Sequence, residues 1–272
     1  MVLLLENLRP ENQEYRYNWL YDNCTERARD MIEKAVDGKI EYSGHVNKNV
    51  TVRDMLHKCL EKSPWVSFGI DMILGAEIDQ KVDKRIMMFL PDVLRTESEG
   101  AFIKKSNGEL VEYVAGRSQV LEDTNGPDEA YLVGSPLFVF SLLLLCAIGL
   151  SLKEFKRKRN TVWLDVTMHI SQGLAGLLVA FLFFFSEHPA VDSNWLVIIF
   201  NPLPLFYAGC LLYCYKTGRR NFLSYVNLAV LAGFLLVMAV CPQSFNVAMW
   251  LVVLSLLVRA LSQAHFVYHS TR

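Results

Sequence analysis

The distribution of apolar positions divides the chain into two parts. Residues 1–130 hold most of the charged side chains, whereas from Tyr131 onward five long apolar stretches are separated by short polar segments. A helix rises about 1.5 Å per residue, so about 20 apolar residues cross a hydrocarbon core of about 30 Å. The pattern predicts an α-helical membrane protein with about five transmembrane helices in residues 131–272, preceded by a mainly helical α+β domain in residues 1–130.

The connections between the spans predict their orientation. The predicted spans are Leu132–Leu152, Val162–Phe185, Trp195–Tyr215, Phe222–Val240 and Val247–Leu261. The first and third connections (residues 153–159 and 216–220) are rich in Lys and Arg, and the other two contain neither. Basic loops remain in the cytoplasm. We therefore expect a multi-pass protein of the inner (cytoplasmic) membrane, with a periplasmic N-terminal domain and a cytoplasmic C-terminus.

Two features inside the spans carry polar or backbone-breaking residues. Asp165 and His169 are four residues apart, hence on one helix face. They form either a polar site inside the bundle or, as we favour, an interfacial carboxylate with a histidine one turn deeper, bonded to a neighbouring helix. Pro202 and Pro204 remove backbone donors and predict a kink in the third span.

The polar part contains a candidate nucleophile at a predicted helix start. Asn23 is a good N-cap, and Glu26 three residues later completes a capping-box pattern, which places Cys24 at the first helical position. Backbone N–H groups and the helix dipole favour a thiolate there, and Arg27 and Arg29 would add positive charge. The alternative is a buried core thiol.

The remaining chemistry of the polar part is sparse. Cys59 lies inside a predicted helix and is interpreted as structural, and the possible bases His45 and His57 are interpreted as solvated side chains. The six cysteines form no CxxC pair or zinc-like cluster. We therefore expect no metal, no cofactor and no nucleic-acid partner.

The rest of the polar part predicts a hairpin and a linker. Asn107-Gly108 between alternating apolar residues predicts a hairpin within residues 103–121, and residues 122–129 a polar linker. The aromatic segment 64–75 is either a lipid-facing rim or ordinary core.

The string Tyr-Asn-Trp-Leu-Tyr-Asp-Asn-Cys-Thr at residues 17–25, with the segments 64–75 and 89–91 and the five spans, resembles the Lnb-type lipoprotein N-acyltransferases of Bacteroidota. The resemblance implies a periplasmic thiol domain, related to papain-like and NlpC/P60-like folds, on a five-helix membrane domain. It implies that Cys24 takes an acyl chain as a thioester and passes it to the N-terminal cysteine amine of a diacylated lipoprotein. The partners would be membrane phospholipid and lipoprotein, and the supporting residues Tyr21, Asp22, Asn23, Arg27, Arg29 and Asp30.

The sequence also departs from that family. The family's histidine belongs to a Gly-His segment upstream of the cysteine string, and Gly44-His45 follows Cys24 instead. The opening residues do not form a signal peptide. We therefore expect the chain to be the C-terminal portion of a longer protein. Two other hypotheses stay open: a thiol phospholipase or peptidase at the membrane surface, and an inactive or non-catalytic membrane fragment that binds a partner.

Overall fold

A computed structural model of the chain describes residues 2–42, 44, 49–121 and 133–269. It divides into a first unit, residues 1–54 with 81–127, and a second unit, residues 55–80 with 128–272. Residues 55–80 thus cluster with the membrane spans, although they lie in the polar part of the sequence. The predicted linker 122–129 lies outside the described residues, as does His45.

The described residues that precede the spans form short helices and strands. In chain order these are α1 (Val2–Asn7), α2 (Pro10–Gln13), α3 (Cys24–Ala35), β1 (Lys39–Glu41), α4 (Val52–Cys59), α5 (Pro64–Ile73), a 3₁₀ turn (Ala76–Asp79), α6 (Lys84–Met87), α7 (Pro91–Glu99), β2 (Phe102–Lys104) and β3 (Leu110–Glu112). The expected mainly helical α+β character is confirmed.

The first unit contains a small antiparallel sheet in the order β1-β2-β3. Ile103 pairs with Val111 across the hairpin and with Ile40 on the other side. Gly108 has a φ of 86°, the conformation that the predicted Asn-Gly turn requires. The hairpin is therefore present, with paired strands shorter than the predicted 103–121 segment, and β1 adds a strand that the pattern did not predict.

The second unit contains the membrane spans. Its remaining elements are α8 (Pro136–Arg157), α9 (Trp163–Phe185), α10 (Pro189–Asp192), a second 3₁₀ turn (Trp195–Ile198), α11 (Leu203–Thr217), α12 (Leu223–Val240) and α13 (Val247–His269). Five spans in the described residues are long and apolar enough to cross a membrane, which confirms the prediction. The fifth continues past the predicted end at Leu261, because Ser262 and Gln263 are buried and hydrogen-bonded inside the bundle.

The third span is interrupted between the 3₁₀ turn and α11, as the prolines predicted. Asn201 bridges the break: its Nδ2 donates to the carbonyls of Val197 and Ile198, and its Oδ1 accepts from Leu203 N. From α9, Gln172 Nε2 donates to Ile199 O over 2.8 Å. Backbone groups freed by a break need such partners, since lipid supplies none. The interruption is therefore a satisfied feature of the fold.

Glycine lets α9 approach this break. A Cβ at Gly176 would overlap the backbone of Asn201 and Phe200, and one at Gly173 would overlap Leu205. Small residues at helix interfaces allow such backbone contact in membranes. The position of the interrupted span against α9 thus depends on these two glycines.

Residues 55–80 are tied to the loops of the bundle by side-chain amides. Asn194 Nδ2 donates to Met72 O over 2.9 Å, and Gln243 Nε2 donates to Leu74 O over 3.2 Å. Phe68 is 8% exposed and its ring centroid lies 5.1 Å from that of Phe140 in α8. The aromatic segment 64–75 therefore contributes to the core of the second unit.

Candidate active site

Cys24 is the first residue of α3, as the sequence predicted. Asn23 has an extended backbone, its Oδ1 accepts from Glu26 N over 3.0 Å, and Glu26 Oε2 accepts from Asn23 N over 3.3 Å. These reciprocal bonds form a capping box. The helix start is thus defined by local hydrogen bonds one residue before the thiol.

Long-range bonds hold the cap in place. Asn23 is 5% exposed, and its Nδ2 donates to Trp19 O and Phe89 O, both over 2.9 Å. The rings of Trp19 and Phe89 meet edge to face with centroids 5.8 Å apart, beside the fully buried Leu20. The backbone at Cys24 is therefore fixed from both sides, which gives the Cα–Cβ bond of Cys24 a defined direction.

The Cys24 thiol is exposed and not in a disulfide. This finding argues against the alternative of a buried core thiol. Cys59, at the end of α4, is also exposed and free. Exposure alone does not distinguish the two cysteines, whereas the capped helix start is specific to Cys24.

Arg27 is paired rather than free to act on the thiol. Its Nε and Nη2 donate to the two Asp22 carboxylate oxygens, both over 2.7 Å, and its guanidinium lies 3.4 Å from the Tyr15 ring centroid. The hydrogen bond from Arg27 lowers the pKa of Asp22, and the same bond raises the pKa of Arg27. Asp22 thus offsets much of the positive field expected from Arg27.

Arg29 is likewise held by carboxylates. Its side chain is 3% exposed, its Nε donates to Asp30 Oδ1 over 2.9 Å, and its Nη1 donates to Arg85 O over 2.8 Å. Burial raises the pKa of the nearby Glu26 carboxyl. Arg29 and Asp30 therefore act as supports of α3, and the helix terminus remains as the source of positive potential at Cys24.

Tyr21 is on the surface of the turn before α3. Its side chain is 41% exposed, and its backbone N–H donates to Asn18 Oδ1 over 3.2 Å. The structure thus gathers Tyr21, Asp22 and Asn23 in one turn directly before Cys24.

No histidine is present among the described residues of the first unit. His57 belongs to the second unit, where its Nε2 lies 2.8 and 2.9 Å from the two carboxylate oxygens of Asp71. Asn246 Nδ2 donates to Asp71 Oδ2 over 2.9 Å, and Asp71 is 3% exposed. The interpretation of His57 as a solvated side chain was incomplete, because its Nε2 is hydrogen-bonded to the buried Asp71 carboxylate while the side chain stays 40% exposed.

Asp165 belongs to a buried cluster inside the bundle, whereas the favoured interpretation from the sequence was a carboxylate at the membrane interface. It is 1% exposed and accepts from Arg259 of α13 over 2.6 and 2.9 Å. His169 bonds to Gln172 of its own helix and meets the Tyr207 ring edge to face at 4.8 Å. The polar residues of the second span are thus internal, and Arg259, a charge within the last span, was the sequence signal for this cluster.

The described residues contain no group of three or more His, Cys, Asp or Glu side chains arranged to hold a metal ion. The chemistry that the first unit can offer is nucleophilic attack by an exposed thiol at a helix N-terminus.

Comparison with known families connects these features. Residues 128–271 match the Lnb transmembrane domain, and residues 1–58, which include Cys24, match the Lnb N-terminal periplasmic domain. No curated protein and no solved structure matches the chain. The two family matches account for both the membrane spans and the cysteine-bearing helix. The chain belongs to the Lnb family of lipoprotein-processing membrane proteins, with a periplasmic N-terminal domain and five apolar spans.

Proposed function

We propose that the protein is a lipoprotein N-acyltransferase in which Cys24 is the nucleophile. The observation that carries this proposal is the exposed thiol at the capped start of α3, inside the segment that matches the Lnb periplasmic domain. The substrates are a membrane lipid that donates an acyl chain and a diacylated lipoprotein that accepts it.

The reaction has two steps that share the thiol. The Cys24 thiolate attacks an ester carbonyl of the donor lipid, the C–S bond forms, and the ester C–O bond breaks to release a protonated glycerol hydroxyl. The lipoprotein α-amine then attacks the thioester, the C–N bond forms, the C–S bond breaks, and the amine proton returns to the thiolate. A base must carry the proton between these groups, and the family resemblance assigns that role to an upstream Gly-His segment.

The residues before α3 assist by position. The first turn of a helix leaves its leading amides without helical acceptors, so the N–H groups of Cys24 and Thr25 are suited to a developing oxyanion. Asn23 fixes the turn, and the Asp22–Arg27 pair holds its outer side. Tyr21 and the Arg29–Asp30 pair support the same turn and helix.

The five spans serve as a platform that keeps the thiol near lipid substrates. We infer that they lie in the inner membrane with the C-terminus in the cytoplasm, because the basic connections 153–159 and 216–220 alternate with connections that lack Lys and Arg. Both substrates are lipid-anchored, so a catalytic domain held at the bilayer gains effective concentration.

The test compares Cys24→Ala with Cys59→Ala, a matched loss of a second exposed thiol. Each chain is joined to the upstream Gly-His segment to which the family resemblance assigns the base, and is expressed with an alkyne-labelled fatty acid in a host whose own lipoprotein N-acyltransferase has been removed. We expect wild type and Cys59→Ala to carry hydroxylamine-labile label and to yield N-acylated lipoprotein by mass spectrometry, and Cys24→Ala to show neither.

Three results would contradict the proposal. N-acylation that persists in Cys24→Ala would reject the nucleophile. Free fatty acid or peptide release without an acylated amine would indicate a phospholipase or peptidase. A wild-type chain that inserts normally and acylates nothing would indicate a non-catalytic membrane protein.

A further inference from the structure

A cavity of about 1090 Å³ opens at the end of the bundle that carries the two basic connections. Its walls come from the C-terminal parts of α8, α11 and α13, from the start of α12, and from residues 158–162 and 218–221. All of these elements belong to the second unit. The folded bundle thus joins two loops that are about 60 residues apart along the chain.

The cavity is strongly basic. Four side chains of its lining are cationic, and we name them the cavity cations: Lys158, Arg159, Arg219 and Arg220. The described lining includes no Asp or Glu. Arg219 donates to the Tyr213 hydroxyl over 3.1 Å, a contact that supplies no counterion. A cavity with this lining favours an anion.

The bundle itself explains why these charges are not neutralised. Glu154 and Asp165 are the acidic side chains at this end of the described bundle, and both are buried against Arg259 at 2.8 and 2.6 Å. The other acidic residues of the described spans and loops, Glu187 and Asp192, belong to the connection between α9 and the third span. Within the described spans and loops, the cavity cations therefore have no carboxylate as a counterion.

One further side chain points to a ligand. Asn221 is 7% exposed, lines the cavity, and its buried Nδ2 has no hydrogen-bond partner. A buried donor without an acceptor costs free energy, which a bound anion would recover.

The apolar part of the lining indicates where such an anion comes from. Phe155 and Phe266 stack with centroids 6.0 Å apart, and Leu211 of α11 and Val162, the residue before α9, also line the cavity. A small soluble anion does not need apolar walls at the end of membrane spans, whereas a lipid places its phosphate at this depth and its chains beside the helices. Basic pockets between spans bind such headgroups.

We propose that this cavity binds the phosphate-bearing headgroup of an anionic phospholipid at the end of the bundle that carries the two basic connections. The cavity cations contact the phosphate, the Asn221 amide rotates toward the cavity and donates to one of its oxygens, and the acyl chains lie against the outer surface of α8 and α13. The site is separate from the proposed chemistry at Cys24 and has no covalent step.

The test measures lipid binding to the full chain in neutral detergent by native mass spectrometry. The probes are phosphatidylglycerol, zwitterionic phosphatidylcholine and inorganic phosphate. One variant replaces the cavity cations by Gln. A matched variant replaces four cations of the same connections that do not line the cavity: Lys153, Lys156, Arg157 and Lys216.

We expect wild type and the matched variant to bind phosphatidylglycerol at least about tenfold more tightly than phosphatidylcholine. The cavity variant should lose this preference. Asn221→Ala keeps every charge and should weaken phosphatidylglycerol binding about fivefold, without lowering the melting temperature of the lipid-free chain. Weaker lipid binding with an unchanged melting temperature would show that Asn221 contacts the ligand and is not needed for the stability of the fold.

Several outcomes would overturn the proposal. An equal loss of binding in the cavity and matched variants would show that loop charge alone attracts the lipid. Equal binding of the two lipids would remove the anion requirement. Saturable binding of inorganic phosphate without a preference for phosphatidylglycerol would assign the cavity to a soluble anion. Unchanged binding in Asn221→Ala would exclude the amide contact, including in preparations where the cavity variant does not fold.

Discussion

The buried ion cluster around Arg259 gives the sharpest prediction about the stability of the bundle. Arg259 is 1% exposed. It makes six hydrogen bonds of 2.6–3.1 Å, two to Asp165, two to Glu154, one to Ser151 Oγ and one to Thr161 O. One guanidinium thus serves two carboxylates from two other helices, α8 and α9. Its removal tests how much the bundle depends on this compensation.

Arg259→Met keeps most of the apolar volume and removes the charge. Glu154 and Asp165 then remain 2% and 1% exposed without a cation. Glu154 keeps donors from Ser262 and the Thr161 N–H, and Asp165 keeps Gln263. Breaking a buried pair by removing one partner costs about 3–5 kcal/mol. We expect a loss in this range.

A second variant separates charge from packing. Arg259→Met combined with Glu154→Gln and Asp165→Asn leaves no uncompensated charge, and we expect it to recover at least about half of the loss. The assay is unfolding in detergent, followed by far-ultraviolet circular dichroism. Arg157→Met, at the exposed end of α8, is the control and should cost less than about 1 kcal/mol. A triple variant no more stable than Arg259→Met would refute this reasoning.

Three further predictions concern the cap, the helix contact and pH. Asn23→Ala removes the α3 cap and the two hydrogen bonds that the buried Asn23 amide donates, and limited proteolysis should show a loss of about 2 kcal/mol in stability. The exposed Asn12→Ala should cost little. Gly176→Ala should lower the melting temperature of the chain, whereas Gly233→Ala, which meets no atoms, should preserve or raise it. Because burial raises the pKa of Glu26, the native state binds the Glu26 proton more tightly than the unfolded state does. The resulting stabilisation is complete below the pKa of the unfolded state and is lost as pH rises through the pKa of the folded state. Glu26→Gln should reduce this pH dependence of the melting temperature, and an unchanged dependence would contradict the prediction.

Local patterns were sufficient for the features that local physics determines. The spans follow from apolar length, because a bilayer needs about 20 apolar residues whatever the helices contact. The start of α3 follows from Asn23 and Glu26, because capping acts within four residues. The break before Leu203 follows from its prolines, because a missing N–H cannot be replaced along the same helix.

The tertiary structure decided which distant residues meet. Ile40 pairs with Ile103, and a three-residue strand carries too few residues to reveal itself by alternation. The sequence predicted that Arg27 and Arg29 add positive potential at Cys24, but in the folded chain Arg27 is paired with Asp22 and Arg29 with Asp30. No short-range pattern reports such pairings, since they depend on how separate elements pack.

In the membrane spans, too, local sequence predicted the elements and only the tertiary structure showed their partners. Sequence marked Asp165 as costly in lipid, yet only the packing of α9 against α8 and α13 supplied Arg259, 94 residues away, as its partner. The sequence showed that the two loops are basic, but only the packing of the spans showed that they line the same cavity. Apolar length determines that a helix enters the membrane, because transfer from water acts on each span separately. The identity of its partners is a collective result of packing, hydrogen bonding and charge compensation among all the spans.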